Sequence, residues 1–407
     1  MVPEGWKIKS LGEICDGNLQ TGPFGSQLHA NEYTASGTPV LMPKDFVDGK
    51  VNLSGAAKIS HNRASDLSKH KLQTGDLLFS RRGDVTRFAL ITEDVAGALC
   101  GTGCLRARPS SKHTPLFLAY FLQKNAVQKW LEQNAVGQTM PNMNTAILSE
   151  LPLMVSTNTD EEEKIARILS TWDKAIETVE KLIENSQAQK KALMQQLLTG
   201  KRRLPGFDDG WLTYKLSEIF HFKKGKGLSK GEINSDGKYK CILYGELYTK
   251  YAEIIHTVAS RTNSNNALNS AVGDVLIPCS TTTSGIDLAN TTCLQESNVL
   301  LGGDITVLRP KNQNIDPEFV AYLLTHVKKH EIARLAQGIT IIHLYGRDLK
   351  NIAITLPGII EQKEIVKVMK NSDKEIDLMN VQLNHLQDEK KALMQQLLTG
   401  KRRVQTN

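Results

Sequence analysis

No stretch of this sequence is apolar over the roughly 20 residues needed to cross a bilayer. Its opening, Met1-Val2-Pro3-Glu4-Gly5-Trp6, lacks the basic start and apolar run of a secretory signal. A soluble chain with a cytoplasmic location and no membrane partner is therefore expected. Cysteine is sparse: Cys15, Cys100, Cys104, Cys241, Cys279 and Cys293 are scattered through 407 residues. That suits free thiols in a reducing compartment and argues against a disulfide framework. Cys100-Gly-Thr-Gly-Cys104 is the only close pair, with no second pair at zinc spacing, so it reads as buried structural thiols and no metal site is expected. The phosphate loop Gly-x-x-x-x-Gly-Lys-(Ser/Thr) is absent, as are Gly-x-Gly-x-x-Gly and His-Glu-x-x-His. His330-Glu331 has no second histidine at the required place, and Asp208-Asp209 follows a Pro-Gly turn and reads as a loop. No local motif for catalysis remains, so a chain without chemistry of its own is expected. A strong charge is missing as well: the net charge of +7 permits a polyanionic partner without demanding one.

What is present is a repeat. Residues 190–203 read KKALMQQLLTGKRR, and residues 390–403 read the same 14 residues again. Other marks align once the halves are superposed. Trp6 to Ile14 answers Trp211 to Ile219, and Gly75-Asp76 answers Gly273-Asp274. Arg108-Pro109 answers Arg309-Pro310, Pro115 to Tyr120 answers Pro317 to Tyr322, and Gly137 answers Gly338. The matched positions are mostly apolar, Gly or Pro, as a shared scaffold requires. The period is far too long for a solenoid and indicates duplication.

The first 150 or so residues of each half read as a mixed α+β domain. Val40-Leu41-Met42, Leu77-Leu78-Phe79 and Ala89-Leu90-Ile91 are short apolar runs bounded by Gly, Asp and Pro, hence strands. Phe117–Trp130 and Phe319–Leu335 have helical spacing. Each half then closes on a long stretch free of Pro and Gly. Ile165, Leu169, Trp172, Ile176, Val179, Ile183, Ser186, Lys190, Leu193 and Leu197 recur at alternating spacings of four and three. Ile365, Met369, Ser372, Ile376, Met379, Leu383, Leu386, Lys390, Leu393 and Leu397 keep the same phase. That is the coiled-coil repeat. Thr159-Asp160-Glu161-Glu162 offers a capping box, and Gly200 and Gly400 offer stops.

A parallel in-register pair would set Lys190 against Lys390 inside the seam. An antiparallel pair sets Lys390 opposite Trp172 and Lys190 opposite Ser372, where a lysine stem can lie along the indole. Antiparallel pairing is therefore expected, with the two domains at opposite ends of a rod and related by a pseudo-two-fold axis. Packing of each helix on its own domain is the simpler alternative. The segments expected are a first globular domain (1–158), a central helix and basic tail (159–203), a second globular domain (204–357) and a C-terminal helix and tail (358–407). Such a chain imitates a DNA-reading dimer, whose two halves engage half-sites about one helical turn apart.

In its domain-helix-domain-helix order, its Trp-x-x-x-x-Leu-(Gly/Ser)-Glu-Ile openings, its Gly-Asp-(Leu/Val)-Leu motifs and its Leu-Leu-Thr-Gly-Lys-Arg-Arg endings, the chain resembles the specificity subunits of type I restriction-modification systems. The resemblance spans the whole chain. It implies a non-catalytic subunit in which two target-recognition domains read the halves of a bipartite, asymmetric site on double-stranded DNA. It implies two modification subunits, which carry S-adenosylmethionine and methylate adenine, docked on the helices. It also implies restriction subunits that use ATP and Mg, with no cofactor in this chain.

The candidate DNA contacts are polar, turn-rich segments at matching places. In the first domain these are Arg81, Arg82 and Arg87 after the apolar run at 77–79, and Gln138, Asn142 and Asn144 after Gly137. In the second they are Ser280, Thr281, Thr282 and Thr283, and Thr340, His343, Tyr345 and Arg347 after Gly338. Lys223, Lys224 and Lys226 form a basic turn suited to phosphate. Arg, Asn and Gln can read base edges, whereas a solvated loop is the plainer account of each segment. Lys201-Arg202-Arg203 and its copy read as helix-end or partner contacts, since identical tails carry no discrimination. Two other functions fit the same outline: a coiled-coil scaffold with two protein-binding domains, and a free-standing DNA-binding regulator.

Overall fold

The structure is a computed structural model that describes residues 2–137 and 140–406. The chain parts into two units, Met1–Val179 with Gln382–Asn407 and Glu180–Val381. The two long helices, Thr159–Leu197 and Ile359–Leu397, have 39 residues each, about 58 Å at 1.5 Å per residue. Each unit contains one globular domain, the start of the helix that follows it, and the end of the other helix.

In the first unit, strands Leu19–Thr21, Cys104–Ala107, Leu77–Ser80 and Phe88–Leu90 form one antiparallel sheet. The strand Trp6–Ser10 pairs with Pro152–Ser156, bringing the two ends of the domain together beside the helix start. A mixed sheet, Leu99–Cys100, Thr38–Leu41, Ala57–Ile59 and Tyr33–Thr34, completes the domain. The second unit repeats the plan. Phe220–Lys224, Ile305–Pro310, Asp274–Pro278 and Thr292–Leu294 form its antiparallel core sheet, with Ile254–Ile255 added at the edge. Leu212–Lys215 pairs with Ala353–Leu356.

The motifs shared by the halves turn out to touch one another. Asp76, fully buried, accepts two bonds from Arg108 at 2.6 and 2.8 Å. Asp274 does the same with Arg309 at 2.7 and 2.6 Å. A Cβ on Gly75 would meet Pro115, and one on Gly273 would meet Pro317. Gly-Asp, Arg-Pro and the proline that opens the next helix thus form a single joint, built twice.

Each unit has a main core to which its helix segments contribute. In the first, Ile165, Leu169 and Leu397 are buried with Trp6, Phe79 and Phe117, and Leu393 packs against them. In the second, Ile365, Met369 and Leu197 join Phe220 and Phe319, with Leu193 alongside. Trp172, Ile176, Ile376 and Leu383 are half-buried. Within each unit the helices therefore pair antiparallel, and they also pack on the globular domain. Lys390 donates to Asp173 Oδ1 at 2.5 Å and lies over the Tyr120 ring. Lys190 pairs with Asp373 and lies over Tyr322. The expected register is right to within a residue. The lysine's partners are a carboxylate and a tyrosine of the domain instead of the Trp172 indole, because an ammonium in a half-buried seam gains more from a charge it can neutralise.

Three local expectations differ from the structure. The helix starting at Thr159 is capped by Asn158, whose Oδ1 accepts from the Asp160 amide at 2.9 Å. Glu161 and Glu162 turn away from the helix to bind Arg403 and the 113–114 segment. The helical stretch 117–130 is two helices, Pro115–Leu122 and Asn125–Asn134, broken where Lys124 is extended. Its counterpart is likewise broken, into Pro317–His326 and Lys329–Arg334. Helical periodicity continued across both breaks and so concealed them. All six cysteines are buried, and burial pushes the Cys100 thiol up to about 12.

Candidate nucleic-acid interface

The two polar segments singled out in each domain are brought side by side. In the first domain the strand Leu77–Ser80 runs into Arg81-Arg82-Gly83, and Gly83 has a positive φ of 76° that turns the chain back. Arg82 bridges to Asn142, and Met143 donates its amide to the Arg81 carbonyl at 2.8 Å. In the second domain Ser280–Thr281 pairs with Ile342–His343. Leu344 donates its amide to the Cys279 carbonyl at 2.9 Å. One scaffold position thus presents two arginines in one domain and threonines in the other.

The individual side chains divide by exposure and by partner. Arg82 is exposed. Arg81 lies with its guanidinium 5.6 Å from the ring centre of Phe24, an exposed aromatic that the sequence did not single out. Arg87 is held by Asp84 at 3.1 Å and stays half-exposed. The Thr86 hydroxyl and Arg87 both help hold the Asp84 carboxyl below its ordinary range. Asn142 is half-exposed. Asn144 is committed elsewhere: its Oδ1 accepts from the Ile147 amide at 2.8 Å, capping a short helix. Gln138 lies outside the described residues.

In the second domain Ser280 and Thr281 are 4% and 1% exposed, so they build the turn and cannot face a ligand. Their backbones pair with 342–343, and the Thr281 hydroxyl bonds to that of Thr283 at 2.8 Å. Thr282 and Thr283 are exposed, and the Thr283 hydroxyl donates to Asp287 at 2.5 Å. That bond is the largest of those depressing the Asp287 carboxyl's pKa. Lys223, Lys224, His343, Tyr345 and Arg347 surround one concavity of about 290 Å³. His343 and Tyr345 stack at 6.2 Å, and the Arg347 guanidinium lies 4.9 Å from the Tyr345 ring centre. Lys350, not foreseen from the sequence, lines the same concavity. Its place, one turn after Arg347 in a basic segment, was the available signal. Lys226 and Thr340 are exposed but do not line this concavity. The ring of cations beside stacked aromatics suits a phosphate backbone with a base edge nearby.

The basic tails serve the helix ends. Arg403 makes a two-armed pair with Glu161 at 2.6 and 3.0 Å, and Arg203 makes one with Glu361 at 2.6 and 2.7 Å. Both carboxylates are buried. Gly400 and Gly200, both at positive φ, let the chain pass against the rings of Trp6 and Trp211. The tails thus clamp the start of the other helix within each unit.

Residues 3–185 and 208–388 each match the type I restriction modification DNA specificity domain. A type I restriction enzyme MjaX specificity subunit from Methanocaldococcus jannaschii is 26% identical over all of this chain and 95% of its own length. The MjaVIII specificity subunit of the same organism is 26% identical over 71% of this chain and 70% of its own. The crystal structure of a type I restriction-modification S subunit from M. genitalium superposes with a TM-score of 0.59 at 19% identity. It covers 98% of this chain and 99% of that one. Among the described residues no helix is long and apolar enough to cross a membrane. Two copies of the specificity domain, each followed by a long helix whose far end returns to the other unit's domain, place this chain in the family of type I restriction-modification DNA specificity subunits.

Proposed function

We propose that this chain reads DNA for a type I restriction-modification assembly in the cytoplasm and performs no chemistry itself. Each globular domain recognises one half of a bipartite, asymmetric site on duplex DNA. The helices set the unread gap and dock two modification subunits, which hold S-adenosylmethionine and methylate adenine. Restriction subunits, with ATP and Mg, complete the nuclease. One observation carries this reading: a single scaffold position presents Arg81-Arg82 in one domain and Thr282-Thr283 in the other. A duplicated protein that kept its joints and changed its tips is one that reads two different sequences. The repeated helix ends add support for two equal docking sites. Lys191, Ala192, Gln195 and Gln196 are exposed, as are Lys391, Ala392, Gln395 and Gln396, and none is needed by a core.

The test is co-expression with the modification subunit, followed by mapping of methylated adenines. A bipartite, asymmetric motif with a fixed gap is expected. Replacing Arg81 and Arg82 with alanine should alter base preference in one half of the motif only. A uniform loss of affinity with a shallower salt dependence would reduce both to phosphate contacts. A soluble complex that methylates nothing would favour the scaffold reading instead.

A further inference from the structure

The residue with the least evident reason to be where it is is Ile339, which is 99% exposed. Single exposed apolar side chains are ordinary on a protein surface. The support beneath this one is not ordinary. Gln337 and His343 exchange backbone bonds of 2.8 and 2.7 Å, closing a narrow two-stranded ribbon with Ile339 at its tip. Gly338 has a φ of 130°, and a Cβ there would lie 2.0 Å from the Ile341 carbonyl oxygen, so only glycine permits this turn. The base of the ribbon is bonded to the strand Ser280–Thr281 and adjoins Lys223, Lys224 and Arg347. In the first domain Val136 and Asn142 likewise exchange bonds of 2.9 Å beside Gly137, whose φ is 106°; there Met140 is the counterpart of Ile341, and the counterpart of Ile339 lies outside the described residues. An apolar residue is therefore presented at the tip in the second domain, with cations near its base.

The occupant is constrained by chemistry. The cations at the ribbon's base, which outnumber the one carboxylate (Asp304) lining the same concavity, suit a polyanion, and the exposed side chain at the tip suits an apolar contact within it. The DNA major groove admits a two-stranded ribbon, and there thymine presents a methyl group. Building on the DNA-reading function proposed above, we infer that Ile339 packs on a thymine methyl in the major groove. Thr340 and Ile341 flank the contact and are exposed beside it.

The test uses the full chain assembled with its modification subunits and a duplex bearing the mapped motif. Each thymine of the motif is replaced in turn by deoxyuridine, which pairs identically and lacks only the methyl. One replacement should weaken binding about fourfold, the worth of one buried methyl-sized group. The same replacement should have no effect on Ile339→Ala, and exchanging that A·T pair for G·C should be discriminated less by Ile339→Ala than by the natural chain. Ile339 is exposed, so the variant is expected to fold, and an unchanged melting temperature would confirm it. If no deoxyuridine matters to the natural chain, or if the loss persists in Ile339→Ala, the inference falls while the DNA-reading function stands. If the assembly methylates no bipartite motif, both fall together.

Discussion

The two units join the domain to the start of its own helix with the same geometry and different chemistry. In the first unit Glu162, fully buried, accepts from the Thr114 amide at 2.8 Å and from His113 Nδ1 at 3.0 Å. Lys9 lies 3.3 Å from the other ring nitrogen of His113. If the ammonium donates there, Nδ1–H is left to donate to Glu162. In the second unit Gln362 takes the place of Glu162. Its carbonyl accepts from the Asp316 amide at 2.9 Å, and its NH2 donates to the carbonyls of Asn314 and Pro357. The comparison teaches that a buried joint requires complete pairing and tolerates either an ionic or a neutral way of achieving it. The clamps at the other helix ends, Arg403 on Glu161 and Arg203 on Glu361, are by contrast the same in both units. Their arginines belong to the sequence block that is repeated without change.

The largest expected effect tests whether the shared joints are equally important. Arg108→Ala leaves the buried Asp76 carboxylate without a charge partner, held only by the Gln73 amide, and Arg309→Ala leaves Asp274 with only the Ala271 amide. Each should cost about 3–5 kcal/mol. Hydrogen exchange should show the loss in the unit that carries the substitution. A loss below about 1 kcal/mol in one unit alone would mean that the repeated joint does different work in the two halves.

A smaller effect is expected where the units differ. Glu162→Ala removes the acceptor for Thr114 and His113 and should cost about 1–3 kcal/mol. Glu162→Gln installs the side chain of the second unit and should cost clearly less. Equal losses in denaturant titrations would show that the first unit depends on the charge and not only on the pairing.

The smallest effect concerns the clamps and pH. Burial pushes the Glu161 carboxyl up, but the bonds from Arg403 and Ser156 outweigh it and leave the pKa lowered. Since the folded value lies below the unfolded one, the stabilisation is fully present above the ordinary carboxylate range. It is lost as pH falls through the folded value. On acidification, the Arg402 amide, which bonds to the Gln396 carbonyl at 3.2 Å, should therefore lose exchange protection before the first domain unfolds. Arg403→Ala should show that loss already at neutral pH and abolish its pH dependence. Protection that persists in Arg403→Ala would assign the tail's attachment to Trp6 and Gly400 alone.

Much of the fold was legible because its signals are periodic or repeated. The 3.5-residue spacing marked both long helices, and the cost of two facing lysines selected antiparallel pairing. The shared Gly-Asp and Arg-Pro marks were visible as matches, but nothing local shows that one carboxylate receives the other's guanidinium. The candidate contact segments were found by their polarity and their position after strands. Their side chains were less legible: Ser280 and Thr281 face inward, and Asn144 caps a helix. The burial of Ser280 and Thr281 depends on the strand alongside, some 60 residues away in sequence, whereas the Asn144 cap is local, made to an amide three residues on.

By itself the sequence determined the duplication, the two mixed domains, the two helices and the antiparallel choice, because periodicity and charge repulsion act at fixed spacings along a chain. Only the tertiary structure decided that each basic tail would clamp the start of the other helix, that each seam lysine would find a carboxylate and a tyrosine, and that two distant loops would meet at one edge. Those outcomes depend on desolvated charges and open hydrogen-bond groups seeking partners through space, and sequence distance does not encode which partner they reach.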